Sequence, residues 1–146
     1  MIAPKSDSLT FFIPERTDAA GAHFFDTGIS AGFPSPAEDF QEQRLSLDEE
    51  LVKNKEATFY ARVSGQSMIG AGLDDNDLLV IDRSLEPENN KIAVCFLDGE
   101  FTVKRLRVQE DEVWLQPENP NYPIIKITEE NNFVIWGIVT NVIKKV

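Results

Sequence analysis

The chain has 146 residues, 25 of them acidic and 14 basic, for a formal net charge of -11. That length suits one domain with an arm, and the negative charge disfavours a sequence-independent grip on a phosphate backbone, so direct duplex binding is not expected. One cysteine excludes an internal disulfide, and with neither a basic-then-apolar leader nor an apolar run of about 18 residues, no membrane span is expected and the reading is cytoplasmic.

Residues 1–44 lack sustained periodicity and hold four of the eight prolines, Pro4, Pro14, Pro34 and Pro36, so they read as a flexible arm. Within it Leu9 to Ile13 reads as one short strand and Asp18 to Gly21 as a turn. Nothing here has the apolar spacing of a helix-turn-helix. His23 has no recognisable second ligand or carboxylate partner and reads as exposed or loosely packed. From Thr27 to Phe33, the small residues Ala31 and Gly32 let a backbone lie extended against another. On such a segment Ile29 points the same way as Ala31, placed to fill an apolar pocket. On these residues alone an ordinary flexible loop is the favoured reading, because Ala-Gly is common.

Ser46-Leu47-Asp48-Glu49 has the form of a capping box opening a short helix through Leu51. From Thr58 onward the chain becomes a series of strand-like runs. These are Phe59 to Val63, Leu78 to Ile81, Ile92 to Leu97, Phe101 to Leu106, Val113 to Gln116, Ile124 to Ile127 and Phe133 to Ile143. The expectation is a mostly β fold, a compact antiparallel domain over residues 45–146. Gly137 inside the last run predicts a bulge or bend. Cys95 reads as a core thiol, and Phe101, Trp114 and Trp136 as core anchors. Asp74, Asp75 and Asp77 lack the spacing of a calcium loop and read as a solvated turn. Gly65, Gly70 and Gly72 lack the residues of a phosphate loop. Lys144 and Lys145 read as a solvated tail, and no metal or other cofactor is expected.

Val63-Ser64-Gly65-Gln66-Ser67-Met68 carries the chemistry. With Gly65 before it and Gly70 and Gly72 after it, Ser67 sits in a loop tight enough to present its hydroxyl. Lys104 lies on an alternating run directly after Asp98-Gly99, a strong hairpin signal. A serine nucleophile needs a base, and with His23 in the arm, a serine and lysine pair is what remains. Free lysine is only about 0.04% neutral at pH 7, so such a lysine must be desolvated. Alternation puts Lys104 on one face with Thr102 and Leu106, and Phe101 and Val103 on the other. On these two residues alone, a loop serine with a solvated strand lysine is the favoured reading.

Further motifs join these. Ser64-Gly65-Gln66-Ser67-Met68, Asp75-Asn76-Asp77-Leu78-Leu79, Asp98 through Leu106 and Leu115-Gln116-Pro117-Glu118-Asn119 together resemble the LexA and UmuD family of self-cleaving serine peptidases. The spacing of serine to lysine also resembles the family's. Ala31-Gly32-Phe33-Pro34-Ser35-Pro36 with Glu42-Gln43-Arg44 is similar to the cleavage segment of UmuD-like members. The resemblance runs from about Ile29 to the end.

It implies Ser67 and Lys104 as catalytic residues, Ala31-Gly32 as the scissile bond, and a backbone oxyanion site at Ser67 with Gln66. It also implies a homodimer whose self-cleavage is stimulated by the RecA filament on single-stranded DNA after damage. The trimmed form would join a UmuC-type subunit in an error-prone translesion polymerase. Three other readings stay open at this stage: a binding module with a vestigial site, a LexA-like peptidase domain of another regulator, and a general peptidase of the signal-peptidase kind, which also uses serine and lysine.

Overall fold

The computed structural model describes residues 7–15, 22–25 and 42–146. They comprise ten strands and one short helix: β1 (Ser8–Phe12), β2 (Ala22–Phe25), β3 (Glu42–Leu45), α1 (Leu47–Leu51), β4 (Thr58–Ser64), β5 (Leu78–Asp82), β6 (Ile92–Leu97), β7 (Glu100–Gln109), β8 (Glu112–Gln116), β9 (Ile125–Lys126) and β10 (Phe133–Ile143). The fold is mostly β, as the alternation predicts. Two compact units divide the chain, one made of Met1–Pro14 with Asn54–Val146, the other of Glu15–Lys53.

In the smaller unit β2 and β3 form an antiparallel pair that places His23 opposite Arg44. This pair is not visible in the alternation of the sequence. α1 starts as the capping box predicts, with the Ser46 hydroxyl accepting from the Glu49 amide at 3.4 Å.

The larger unit is built on one eight-stranded sheet in the order β1-β4-β5-β10-β6-β7-β8-β9. Every pairing in it is antiparallel. The β6–β7 hairpin turns at Asp98 and Gly99, whose φ values of 48° and 92° are the two positive angles that such a turn demands. Gly137 sits where the register between β10 and β6 shifts. A Cβ there would lie 2.6 Å from Ile81 Cγ2, so a side chain would collide with Ile81 of the neighbouring strand β5.

β1 and β7 are five places apart in the sheet, which at roughly 4.8 Å per step would separate them by about 24 Å if the sheet were flat. Yet the rings of Phe11 on β1 and Phe101 on β7 meet edge-on with centroids 4.9 Å apart. The sheet therefore curls until its first strand reaches its sixth. Ala61, Val63, Met68, Leu73, Leu79, Ile81, Val94 and Val103 fill the inside of that curl. Trp136 lies against both Phe11 and Phe59 there, so it anchors the core as expected. A second cluster of Ala93, Cys95, Leu106, Leu115 and Ile138 covers other strand faces. Val103 and Leu106 fall in different clusters, as alternation requires.

Cys95 is fully buried, and burial pushes its thiol up to about 12. It is the core thiol the sequence suggests. The acidic turn departs from expectation: Asp77 is buried, and Lys144 pairs with Asp74 and Asp77 at 2.5 Å each. The reason is register. Ile143 stands opposite Leu78, so the residue after the last strand lands on the turn before β5. Among the described residues no group of His, Cys, Asp or Glu is arranged to hold a metal, and no helix is long and apolar enough to cross a membrane.

Leu79 on β5 has no exposed surface. Leu79→Ala should lower the unfolding free energy by about 3 kcal/mol, measured as a shift in the urea midpoint at unchanged slope.

Candidate active site

Ser67 lies three residues beyond the end of β4, in a turn that runs into a short 3-10 segment at Ile69–Ala71. Lys104 lies mid-way along β7, with Ala93 and Cys95 of β6 opposite Lys104 and Thr102 in register. Its stem therefore runs beside small, weakly polar side chains. The two residues, 37 apart in sequence, meet: Lys104 Nζ is 3.0 Å from Ser67 Oγ. Both are buried, Ser67 at 1% and Lys104 at 5% exposure. The amine also donates to Thr102 Oγ1 at 2.5 Å and to the Val103 carbonyl at 3.1 Å. These bonds aim it at the serine.

Burial holds the Lys104 amine below the usual lysine range, because desolvation penalises the ammonium form. A nearby carboxylate opposes that shift. Asp7, just ahead of β1, places Oδ2 3.1 Å from Lys104 Nζ, and its side chain is only 2% exposed. Asp7 also accepts from the Ser67 hydroxyl, and its Oδ1 accepts from the Ser67 amide at 3.4 Å.

Sequence reasoning missed this residue. The only signal lay in pairing: Ser8 stands opposite Ser64, so the next pair outward sets Asp7 beside Gly65, two residues before the serine. A Cβ on Gly65 would collide with Asp7 Oδ1, and the glycine φ is +132°. Gly65 thus makes both the turn and the room for the carboxylate.

The segment after β8 braces the serine loop. Glu118 N–H donates to the Ser67 carbonyl at 2.8 Å, and Gly70 N–H donates to the Glu118 carbonyl at 2.7 Å. Asn119 Nδ2 donates to the Gln66 carbonyl at 2.8 Å. Glu118 Oε1 receives Arg105 Nε at 2.6 Å, and Arg105 is the neighbour of Lys104. One loop therefore holds the serine turn by its backbone and the lysine strand by a side chain. That is the physical content of the Gln116-Pro117-Glu118-Asn119 motif. Ile29, Ala31 and Gly32 lie outside the described residues.

Residues 24–140 match the model of the Peptidase S24-like family. The chain belongs to the peptidase S24-like family. Protein MucA of Salmonella typhimurium is 42% identical over 131 residues, covering 87% of this chain and 89% of MucA. Protein ImpA of Shigella flexneri is 39% identical over 132 residues, 90% of each chain. LexA repressor 1 of Geobacter sulfurreducens is 38% identical over 128 residues, 87% of this chain and 63% of the repressor. The resemblance carried by the sequence motifs is thereby borne out, and the span shared with the S24-like family includes both Ser67 and Lys104.

A Cβ on Gly70 would lie 2.6 Å from the Glu118 carbonyl oxygen, a backbone atom with little room to retreat. Gly70→Ala should break the brace, costing about 1–3 kcal/mol through the strained contact and the lost hydrogen bond. Thermal melting checks this, with Gly72→Ala as the contrasting case of strain from a positive φ in open space.

Proposed function

We propose that this protein is a self-cleaving serine peptidase in which Ser67 is the nucleophile and Lys104 the general base. The buried 3.0 Å contact between Ser67 Oγ and Lys104 Nζ carries this reading. Neutral Lys104 takes the hydroxyl proton as Ser67 Oγ bonds to the carbonyl carbon of Ala31. The Ser67 and Gln66 amides steady the oxyanion. The bond from Ala31 to the Gly32 nitrogen breaks, and the Lys104 ammonium gives its proton to the leaving amine. Water, deprotonated by Lys104, then attacks the acyl-enzyme, and Ser67 recovers its proton. Ile29, on the same side of the segment as Ala31, fills an apolar pocket.

In this reading residues 1–44 form the arm that carries its own substrate, and residues 45–146 the peptidase domain. Cleavage belongs to the response to DNA damage, in the cytoplasm, with a RecA filament on single-stranded DNA favouring the docked arm. Each 1.4 kcal/mol of such bias raises a minor docked population about tenfold. The trimmed homodimer serves as the accessory subunit of a UmuC-type translesion polymerase. The chain spans 89% of MucA and 90% of ImpA but only 63% of the LexA repressor, which supports this branch over a repressor. The net charge of -11 fits a protein that binds proteins and not DNA, and no membrane is involved.

Intact mass of the purified protein tests the chemistry. Wild type should yield a fragment beginning at Gly32, while Ser67→Ala and Lys104→Ala should each lose about a thousandfold or more in rate. A chain that stays whole even with RecA filaments present would leave a binding module instead. Because the base form is the active one and burial lowers the Lys104 pKa, the rate should climb with pH. It should level off below 10.5, the ordinary value for lysine.

A further inference from the structure

The reacting groups are already occupied. Asp7 takes the hydroxyl of Ser67, the amide of Ser67 and the amine of Lys104 on one carboxylate. Those are the groups an incoming peptide bond needs: the nucleophile, an oxyanion donor and the base. A carboxylate with one oxygen toward the backbone amide and the other toward the serine hydroxyl has the outline of a cleaved peptide's new C-terminus. A substrate carbonyl and the Asp7 carboxylate cannot share that space. The negative charge also favours the ammonium form of Lys104, the form unable to accept a proton.

The element that delivers Asp7 lies at the edge of the sheet. β1 is the outermost strand of the sheet and pairs with β4 alone. It is held by five register pairs and by Leu9 and Phe11 packed on the core, while Phe12 and Ile13 face outward at 45% and 77% exposure. Edge strands open at lower cost than interior ones.

We propose that Asp7 is a built-in occupant of the active site, and that self-cleavage waits for its carboxylate to leave as β1 peels from the edge of the sheet. This rests on the reading of Ser67 and Lys104 as the peptidase pair. It adds a second, competing segment of the same arm: Asp7 closes the site and Ala31-Gly32 is cut in it. A cut after Ala31 also severs Asp7 from the domain, so the closure works once.

The experiment compares wild type, Asp7→Asn and Asp7→Ala as full-length protein at neutral pH, each also in a Ser67→Ala background. Two readouts are followed: the rate of appearance of the fragment starting at Gly32, and the rate at which a fluorophosphonate probe labels Ser67, located by peptide mass. Asp7→Asn keeps the shape and the strand pairing while removing the charge, and melting curves show that each variant is folded. Loss of a charge-assisted contact predicts faster labelling and faster self-cleavage in both variants, by about tenfold or more, and neither signal in the Ser67→Ala backgrounds.

Faster labelling with no cut at Gly32 would still support the closure while removing Ala31-Gly32 as the bond. Wild type that labels and cuts at about pH 10, with variants no faster at neutral pH, would overturn the closure and leave the peptidase reading standing. Slower labelling and cutting in both variants would also overturn it, making Asp7 a positioning residue. No labelling in any form at any pH would overturn both.

Discussion

An amine can serve as a base near neutral pH only if it is kept out of water, and a buried amine must be held by something. Lys104 is both buried and held. The strand β7 supplies the burial, with neighbours on both sides in the sheet and small side chains opposite. Thr102 and the Val103 carbonyl supply partners from the same strand. A lysine on an edge strand or a loop would keep its hydration and its ordinary pKa. The curl of the sheet supplies a further partner, since a flat sheet of this order would leave β1, with Asp7 at its start, far from Lys104.

Much of this fold can be read from the residues, because its strands alternate and its turns use distinctive chemistry. Asp98-Gly99 announces a hairpin and the structure supplies one with both angles positive. The run from Phe133 to Ile143 is a single strand with its irregularity at Gly137, as the glycine implies. Pairing is less legible than strand existence. Nothing local says that Ile143 lies opposite Leu78, so Lys144 reads as a solvated tail when it is the counter-ion of Asp74 and Asp77. The same gap hides Asp7, one carboxylate in an irregular stretch until register sets it beside Gly65.

Ser67 and Lys104 were legible for a different reason. Each alone is ordinary, and geometry brings them within 3.0 Å only through contacts between segments far apart in sequence. What exposed them was the combination of motifs, and the structure gives those motifs work to do. The Leu115 to Asn119 segment touches no reacting atom. It grips the carbonyls of Gln66 and Ser67, and through Glu118 it takes hold of Arg105.

That grip has a mechanical consequence. Ser67 and Lys104 sit on separate elements, yet one short loop is fastened to both, so a displacement of either drags the other along. The spacing of the two side chains is thereby tied to that one loop. Segments that touch neither that loop nor the two side chains can therefore vary without altering the Ser67–Lys104 spacing, whereas Asp7, which reaches both, cannot.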